Sequence, residues 1–391
     1  MRTLFWFGLA ALIAAGASKV AAADKTGVTP STIKIGLFGP LTGPVGAARK
    51  NVLGAAAIYQ DVNDRGGIHG RRIELIIEDD GCDGNKGITA FRKLLNQDKV
   101  FLIHGAWCSK VALAVKPEAA KYPGVPYMVL GAASAEITST FQRNLYQPVA
   151  TTETAGAKMV AFALSKPGAK TIAIVRHTDE WGRAYSTATI AALKEHGMSP
   201  TVITTLERGE KDAASQVREI KQSTPDAVLA LLYPDEMVIY LREAYKQGLK
   251  VTTIGATAAS IDDTNKRIGI PAAVNDVYMA FPLRATLTSP ELRKFAELFK
   301  KYYPSESLDT MSFYSMDGAI AIVEVLKRLG PDVTRERFMA GLDKLRHFEG
   351  GVQPGGITFT PTDHRGMKAI KMIGLVKQRE VVFETYPALR R

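Results

Sequence analysis

The 391-residue chain has only two cysteines, Cys82 and Cys108, which excludes paired Cys-x-x-Cys metal sites. No H-E-x-x-H or G-x-S-x-G occurs, so the sequence offers neither a metalloprotease helix nor a nucleophile elbow. The glycines from Gly36 to Gly43 lack G-x-G-x-x-G spacing, and no Gly-Lys-Ser/Thr follows Gly81 to Gly87; both dinucleotide and phosphate loops are excluded. Basic residues cluster no further than pairs such as Arg71-Arg72, interleaved with acids as in Arg218-Glu219, so nucleic acid is not the expected partner. There is no low-complexity stretch and no short repeat. Glu78-Asp79-Asp80 is one acidic strand end, which solvation or capping explains better than a metal or an acid/base pair. His104 and His177 fall at strand ends without a neighbouring nucleophile. No catalytic residue, metal or cofactor is expected.

What is present begins with a leader. Arg2 precedes an apolar run, Leu4 to Ala17, and Ala21-Ala22-Ala23 offers small residues for cleavage; this is the pattern of a signal peptide over 1–23, cut near Ala23, with an uncleaved anchor as the other reading. The run is short for a membrane span. A soluble protein exported to the periplasm is expected. The remaining 368 or so residues suffice for two domains. With Arg2 and Lys19 removed, the formal charge falls from +11 to +9.

The rest alternates strands and helices. Apolar runs at 33–38, 72–79, 100–103, 125–130, 171–175, 202–205, 227–232, 251–255 and 277–281 read as strands. Helical segments include 50–65, 110–122, 182–196, 213–222 and 235–247. Three more helices (289–302, 312–329, 334–345), a strand at 357–359 and two terminal strands from Ala369 complete the series. This rhythm predicts an α/β fold, two parallel sheets covered on both faces with right-handed crossovers. In such sheets ligands sit outside the carboxyl ends of the strands. The turns there hold Trp107, Ser109, Ser134, Arg176, Trp181, Tyr233 and Thr257. Ser109 falls at a helix N-terminus, where unpaired amides favour an anion, though an ordinary capping serine reads the same way. In an exported chain two cysteines pair by default, and Cys82 and Cys108 both follow strands of one sheet edge. Their bridge would close a loop of about 25 residues, worth ~3 kcal/mol; two free thiols are the alternative.

A series of spaced segments then resembles the branched-chain amino acid binding proteins of ABC transporters. These are IKIGLFGPLTGP from Ile33, DRGGIHG from Asp64, EDDGCD from Glu78, GAWCS from Gly105, GAASAEIT from Gly131 and GEKD from Gly209. The resemblance covers nearly the whole chain after the leader. It implies a type I periplasmic binding protein: two Rossmann-like lobes joined by a three-segment hinge that closes on a ligand. The implied lobes are 24–147 plus 282–351 and 148–281 plus 352–391, with crossings near 147–151, 276–282 and 350–357. It also implies a Cys82–Cys108 disulfide, a monomer, and membrane permease and ATPase subunits as partners.

Carried over residue by residue, the resemblance places a ligand carboxylate on Ser109 and on the turn Ala132, Ala133 and Ser134, through amides and hydroxyls. Trp107, Trp181 and Tyr233 would enclose the apolar part. Three departures bear on the ligand. Ala133 stands where the amino-acid binders usually have threonine, Thr257 where a glutamate neutralises the ammonium, and Ala48 near a tryptophan that narrows the pocket. An unpaired buried ammonium costs several kcal/mol. The expected ligand is therefore a hydrophobic amino acid or, given Thr257 and Ala133, an aromatic or branched carboxylic acid. Arg176 is a candidate second bond to the carboxylate, and Glu153 or Asp179 a replacement acid. An exported enzyme using Glu78, Asp79 or His177 as base, or a sensor subunit, are the competing functions.

Overall fold

The computed structural model describes residues 24–43, 45–258 and 260–383; the expected leader lies outside them. In chain order the strands are β1 (Thr32–Gly39), β2 (Arg72–Asp79), β3 (Leu102–Gly105), β4 (Tyr127–Val129), β5 (Leu145–Ala150), β6 (Ile172–His177) and β7 (Ile203–Leu206). They continue as β8 (Ala227–Leu231), β9 (Thr252–Gly255), β10 (Val277–Phe281), β11 (Arg365–Met367), β12 (Lys371–Val376) and β13 (Arg379–Phe383). Two sheets form, ordered β11-β5-β4-β3-β1-β2 and β13-β12-β10-β9-β8-β6-β7. The first is parallel throughout. The second is parallel from β7 to β10 and antiparallel at β10/β12 and β12/β13. Strands β3 and β8 are buried at every position, as runs such as Ala227-Val-Leu-Ala-Leu231 require when helices cover both faces. The α/β architecture with two lobes is the one expected.

The chain changes sheet three times: after β5, after β10, and between β11 and β12. Residues 365–367 add to β5 in the first sheet, so by strand pairing the last change of sheet lies at 368–370, and no strand of either sheet falls at 350–357. The segment 350–353 is instead anchored to the helix Met316–Arg328, where buried Asp317 accepts hydrogen bonds from the amides of Val352 (3.2 Å) and Gln353 (2.7 Å). Ile357 forms only an isolated bridge to Phe348, not the expected strand. The helix expected over 312–329 is broken at Ser315 into Met311–Tyr314 and Met316–Arg328. The Ser315 hydroxyl donates to the Asn51 carbonyl, docking the break on the helix Arg49–Asp64.

Cys82 and Cys108 form a disulfide with Cα atoms 5.6 Å apart. It ties the turn after β2 to the turn after β3. Among the described residues no helix is long and apolar enough to cross a membrane, and no cluster of three or more His, Cys, Asp or Glu has metal-site geometry.

Candidate ligand-binding site

The carboxyl ends of β3 and β4 in one sheet, and of β6, β8 and β9 in the other, meet around a cavity of ≈ 20 Å³, room for about one water. Its walls are Trp107, Ser109, Gly131 and Ala133 from the first sheet's turns and Trp181, Tyr233, Thr257 and Ala258 from the second's. Met311 and Tyr314 complete it.

Ser109 opens the helix Ser109–Ala119 and is 3% exposed. Its Oγ accepts from the Ser134 amide at 3.2 Å, which leaves the hydroxyl proton to donate elsewhere. Ala132 and Ser134 do not reach the cavity. The Ala132 amide donates to the Ala106 carbonyl (3.3 Å), and Ser134 orients Ser109 from behind. Ala133 alone of that turn lines the void, and its carbonyl accepts from the Thr152 amide (2.8 Å). The turn is fixed by Gln147, whose Nε2 donates to the carbonyls of Ala132 (2.8 Å) and Ser134 (3.1 Å). Gly131 is needed for space: a Cβ there would lie 2.8 Å from Trp107 and 3.1 Å from Tyr314. Ala106, just before Trp107, takes φ of +67°, a strained conformation held by its amide's bond to the Phe38 carbonyl (3.0 Å).

The aromatic wall is continuous. Trp181 stacks on Tyr233 (centroids 4.5 Å, planes 24° apart) and packs edge-on against Tyr185 (4.8 Å). Half-buried Trp107 reaches Tyr233 from the other sheet (6.3 Å). The Tyr233 hydroxyl donates to Asp179 Oδ2 (3.0 Å). Burial raises the Asp179 carboxyl, but the His177 ring, the Gly182 amide and the Tyr233 hydroxyl outweigh it and hold the group below the usual carboxylate range. Asp179 thus caps the helix Glu180–Glu195 and stands behind the tyrosine, outside the cavity. Thr257 pairs its hydroxyl with that of Tyr185 (2.9 Å), and burial pushes the Tyr185 phenol up to about 12. Among the described residues lining the void none carries a charge.

Six expected site residues therefore converge: Trp107, Ser109, Ala133, Trp181, Tyr233 and Thr257. Arg176 does not join them; its guanidinium donates to the His177 carbonyl (3.1 Å) and lines no part of the cavity. Glu153 faces Arg365 (3.7 Å) on the surface. Met311 and Tyr314 were not foreseen, because they come from a distant helical turn that carries no motif. The candidate bases are committed elsewhere. Glu78 pairs with Lys93 (2.6 Å), and Asp79 accepts from the amides of Leu41 and Gly81. The third, His177, accepts the Asp179 amide on Nδ1 (3.2 Å). His104, which was not among them, is fully buried, which lowers its pKa to about 3, and bonds Tyr59.

Two mostly parallel sheets that turn their carboxyl edges onto one shared cavity, with no charge among its described lining residues, have the architecture of the two-lobed solute-binding class. The chain belongs to the periplasmic binding protein family, whose profile matches residues 32–379. Leu/Ile/Val-binding protein homolog 7 of Brucella abortus is 26% identical over 384 residues, 94% of each chain. The Leu/Ile/Val-binding protein of Escherichia coli is 26% identical over 250 residues, 63% of this chain and 65% of that one. Two solved structures share the fold. One is a fatty acid ABC transporter substrate-binding protein from Thermomonospora curvata (TM-score 0.81, 22% identity, 94% of this chain and 95% of that one). The other is the branched-chain amino acid transporter substrate binding protein LivJ from Streptococcus pneumoniae in complex with isoleucine (TM-score 0.78, 19% identity, 91% and 100%).

Proposed function

We propose that this chain is the periplasmic substrate-binding component of an ABC importer and traps a small carboxylate by closure of its two lobes. Strand pairing supports lobes of about 24–150 plus 282–367 and 151–281 plus 368–383. The ligand's acid group sits on the Ser109 hydroxyl and amide and on the Ala133 amide, at the positive end of the helix Ser109–Ala119. Its apolar part lies against Trp107, Trp181 and Tyr233. The observation that carries this reading is the absence of any carboxylate among the described residues around the cavity, with Thr257 engaged by Tyr185. An α-ammonium there would be buried without a counter-ion, at a cost of several kcal/mol. Of the relatives, those named for leucine, isoleucine and valine bind amino acids and the fold neighbour is named for fatty acid; a carboxylate is common to both ligands. Pumping falls to membrane permease and ATPase subunits, to which the closed form docks from the periplasm after loss of the leader. Mass spectrometry of gently purified protein tests this. A co-purified monocarboxylate is expected. Chemical conversion of such acids by the protein would contradict it and favour an exported enzyme.

A further inference from the structure

A second chamber of ≈ 410 Å³ opens beside the first and shares Trp107, Tyr233, Ala258 and Met311 with it. That volume is within the ~300–1,000 Å³ of small-molecule pockets, whereas the first cavity, with room for about one water, is too small for a whole ligand. Val45, Ala47 and Ala48 form one wall and Leu287 and Leu308 another. The side chain at position 48 is a single methyl, 6% exposed, so the chamber's depth there is set by its smallness.

The charges around the chamber are largely spent on one another. Lys50 bonds Asp309 (2.5 Å), Lys266 bonds Asp262 (2.5 Å) and Arg267 bonds Asp235 (2.5 Å). Arg208 lies over the Tyr233 ring (4.6 Å), 3.9 Å from Asp179. Among the described residues around the chamber, buried Glu236 Oε2 has no donor, on a residue 2% exposed. Among the described residues lining the chamber four cations face five carboxylates, a balance that disfavours a second acid there.

Resting on the carboxylate reading above, we propose that the two cavities form one bipartite site. The ligand is an elongated monocarboxylate whose head sits at Ser109 and whose uncharged aryl or alkyl body passes Met311 into the chamber bounded by Ala48. Dicarboxylates of equal length are excluded. Ala48 and Ala47 set the length accepted.

Isothermal titration of the full folded protein with benzoate, 4-phenylbutyrate, octanoate and octanedioate tests this, alongside Ala48→Phe and the exposed Ala47→Phe, each checked for folding by its melting curve. The proposal expects 4-phenylbutyrate and octanoate to bind at least tenfold tighter than benzoate and octanedioate at least tenfold weaker than octanoate. It also expects at least one phenylalanine variant to reduce the long-to-short affinity ratio about tenfold. Equal affinity for long and short acids in all three proteins overturns the extension while leaving the acid seat standing. Silence toward every acid contradicts the carboxylate reading and the extension with it.

Discussion

Trp107 and Tyr233 meet across the cleft with ring centroids 6.3 Å apart and planes tilted by 46°. One follows β3 of the first sheet and the other follows β8 of the second, so the pair bridges the carboxyl edges of the two sheets. Tyr233 is braced from behind by Trp181 and Asp179; Trp107 is braced by the disulfide-tethered turn. One braced wall thus faces another, and on the proposed reading a ligand between them is held through apolar area.

Truncating that grip should cost affinity more than stability. Trp107→Ala is expected to weaken binding of an aryl or branched acid by about 10- to 100-fold, ~1.5–3 kcal/mol of apolar contact. The titration should be paired with a melting curve, because half-buried Trp107 contributes less to the core than the Trp181–Tyr233 stack.

Ser109→Ala removes the hydroxyl donor to the acid group and the acceptor of the Ser134 amide. Affinity for any carboxylate ligand is expected to fall by about 10- to 100-fold, the range of a charge-assisted hydrogen bond. Ser134→Ala should cost less, because Ser134 Oγ accepts only the Glu136 amide at 3.4 Å and does not line the void. Comparable losses for the two variants would assign Ser109 a structural role.

The disulfide should matter twice. Replacing both Cys82 and Cys108 by serine is expected to lower unfolding free energy by ~2–4 kcal/mol, read from urea denaturation. Since Cys108 precedes Ser109 directly, the double variant should also bind ligand more weakly at a temperature where it is fully folded. Unaltered affinity would separate the bridge from the site.

Stability should vary with pH through two buried acids. Burial pushes Asp80 and Asp317 up to about 6, against the Cys82 amide for the first and the Gln353 and Val352 amides for the second. In the unfolded chain they titrate near ~4, so between pH 4 and 6 the folded state holds the extra protons. The stability from this pair is fully present below about pH 4 and is lost as pH rises through 6. Glu118, held near 2 by Arg92 and Lys121, and Asp363, held near 2 by Arg365 and Lys368 despite burial, act oppositely. Their contribution is present above about pH 4 and lost as pH falls through ~2. Urea midpoints should therefore rise from pH 7 to pH 5 and collapse below 4. Asp317→Asn should flatten the rise, and an unchanged slope in that variant would remove Asp317 from the account.

Much of this site is legible before any coordinates. Trp107, Ser109, Trp181, Tyr233 and Thr257 each follow an apolar run, and topology brings the carboxyl ends of parallel strands to one edge. What stays hidden lacks a local pattern. Strand β5 carries Gln147 and Pro148 within a fully buried run; the Gln147 side chain donates to the carbonyls of Ala132 and Ser134 and accepts from the Thr138 hydroxyl, partners that no periodicity reveals. Strand β11 is three residues, Arg-Gly-Met, too short for an apolar signature. Met311 and Tyr314 enter the cleft because the helix breaks at Ser315 to meet Asn51, a contact 264 residues apart in sequence.

The central claim is that the acid seat has no partner for an α-ammonium, and matched pairs of ligands test it most directly. Leucine should be titrated beside 4-methyl-2-oxopentanoate, and phenylalanine beside 3-phenylpropanoate, in one buffer at pH 7. The account predicts that each acid without the amino group binds at least tenfold tighter than its amino acid. Tight binding of leucine with no heat from either acid would contradict it.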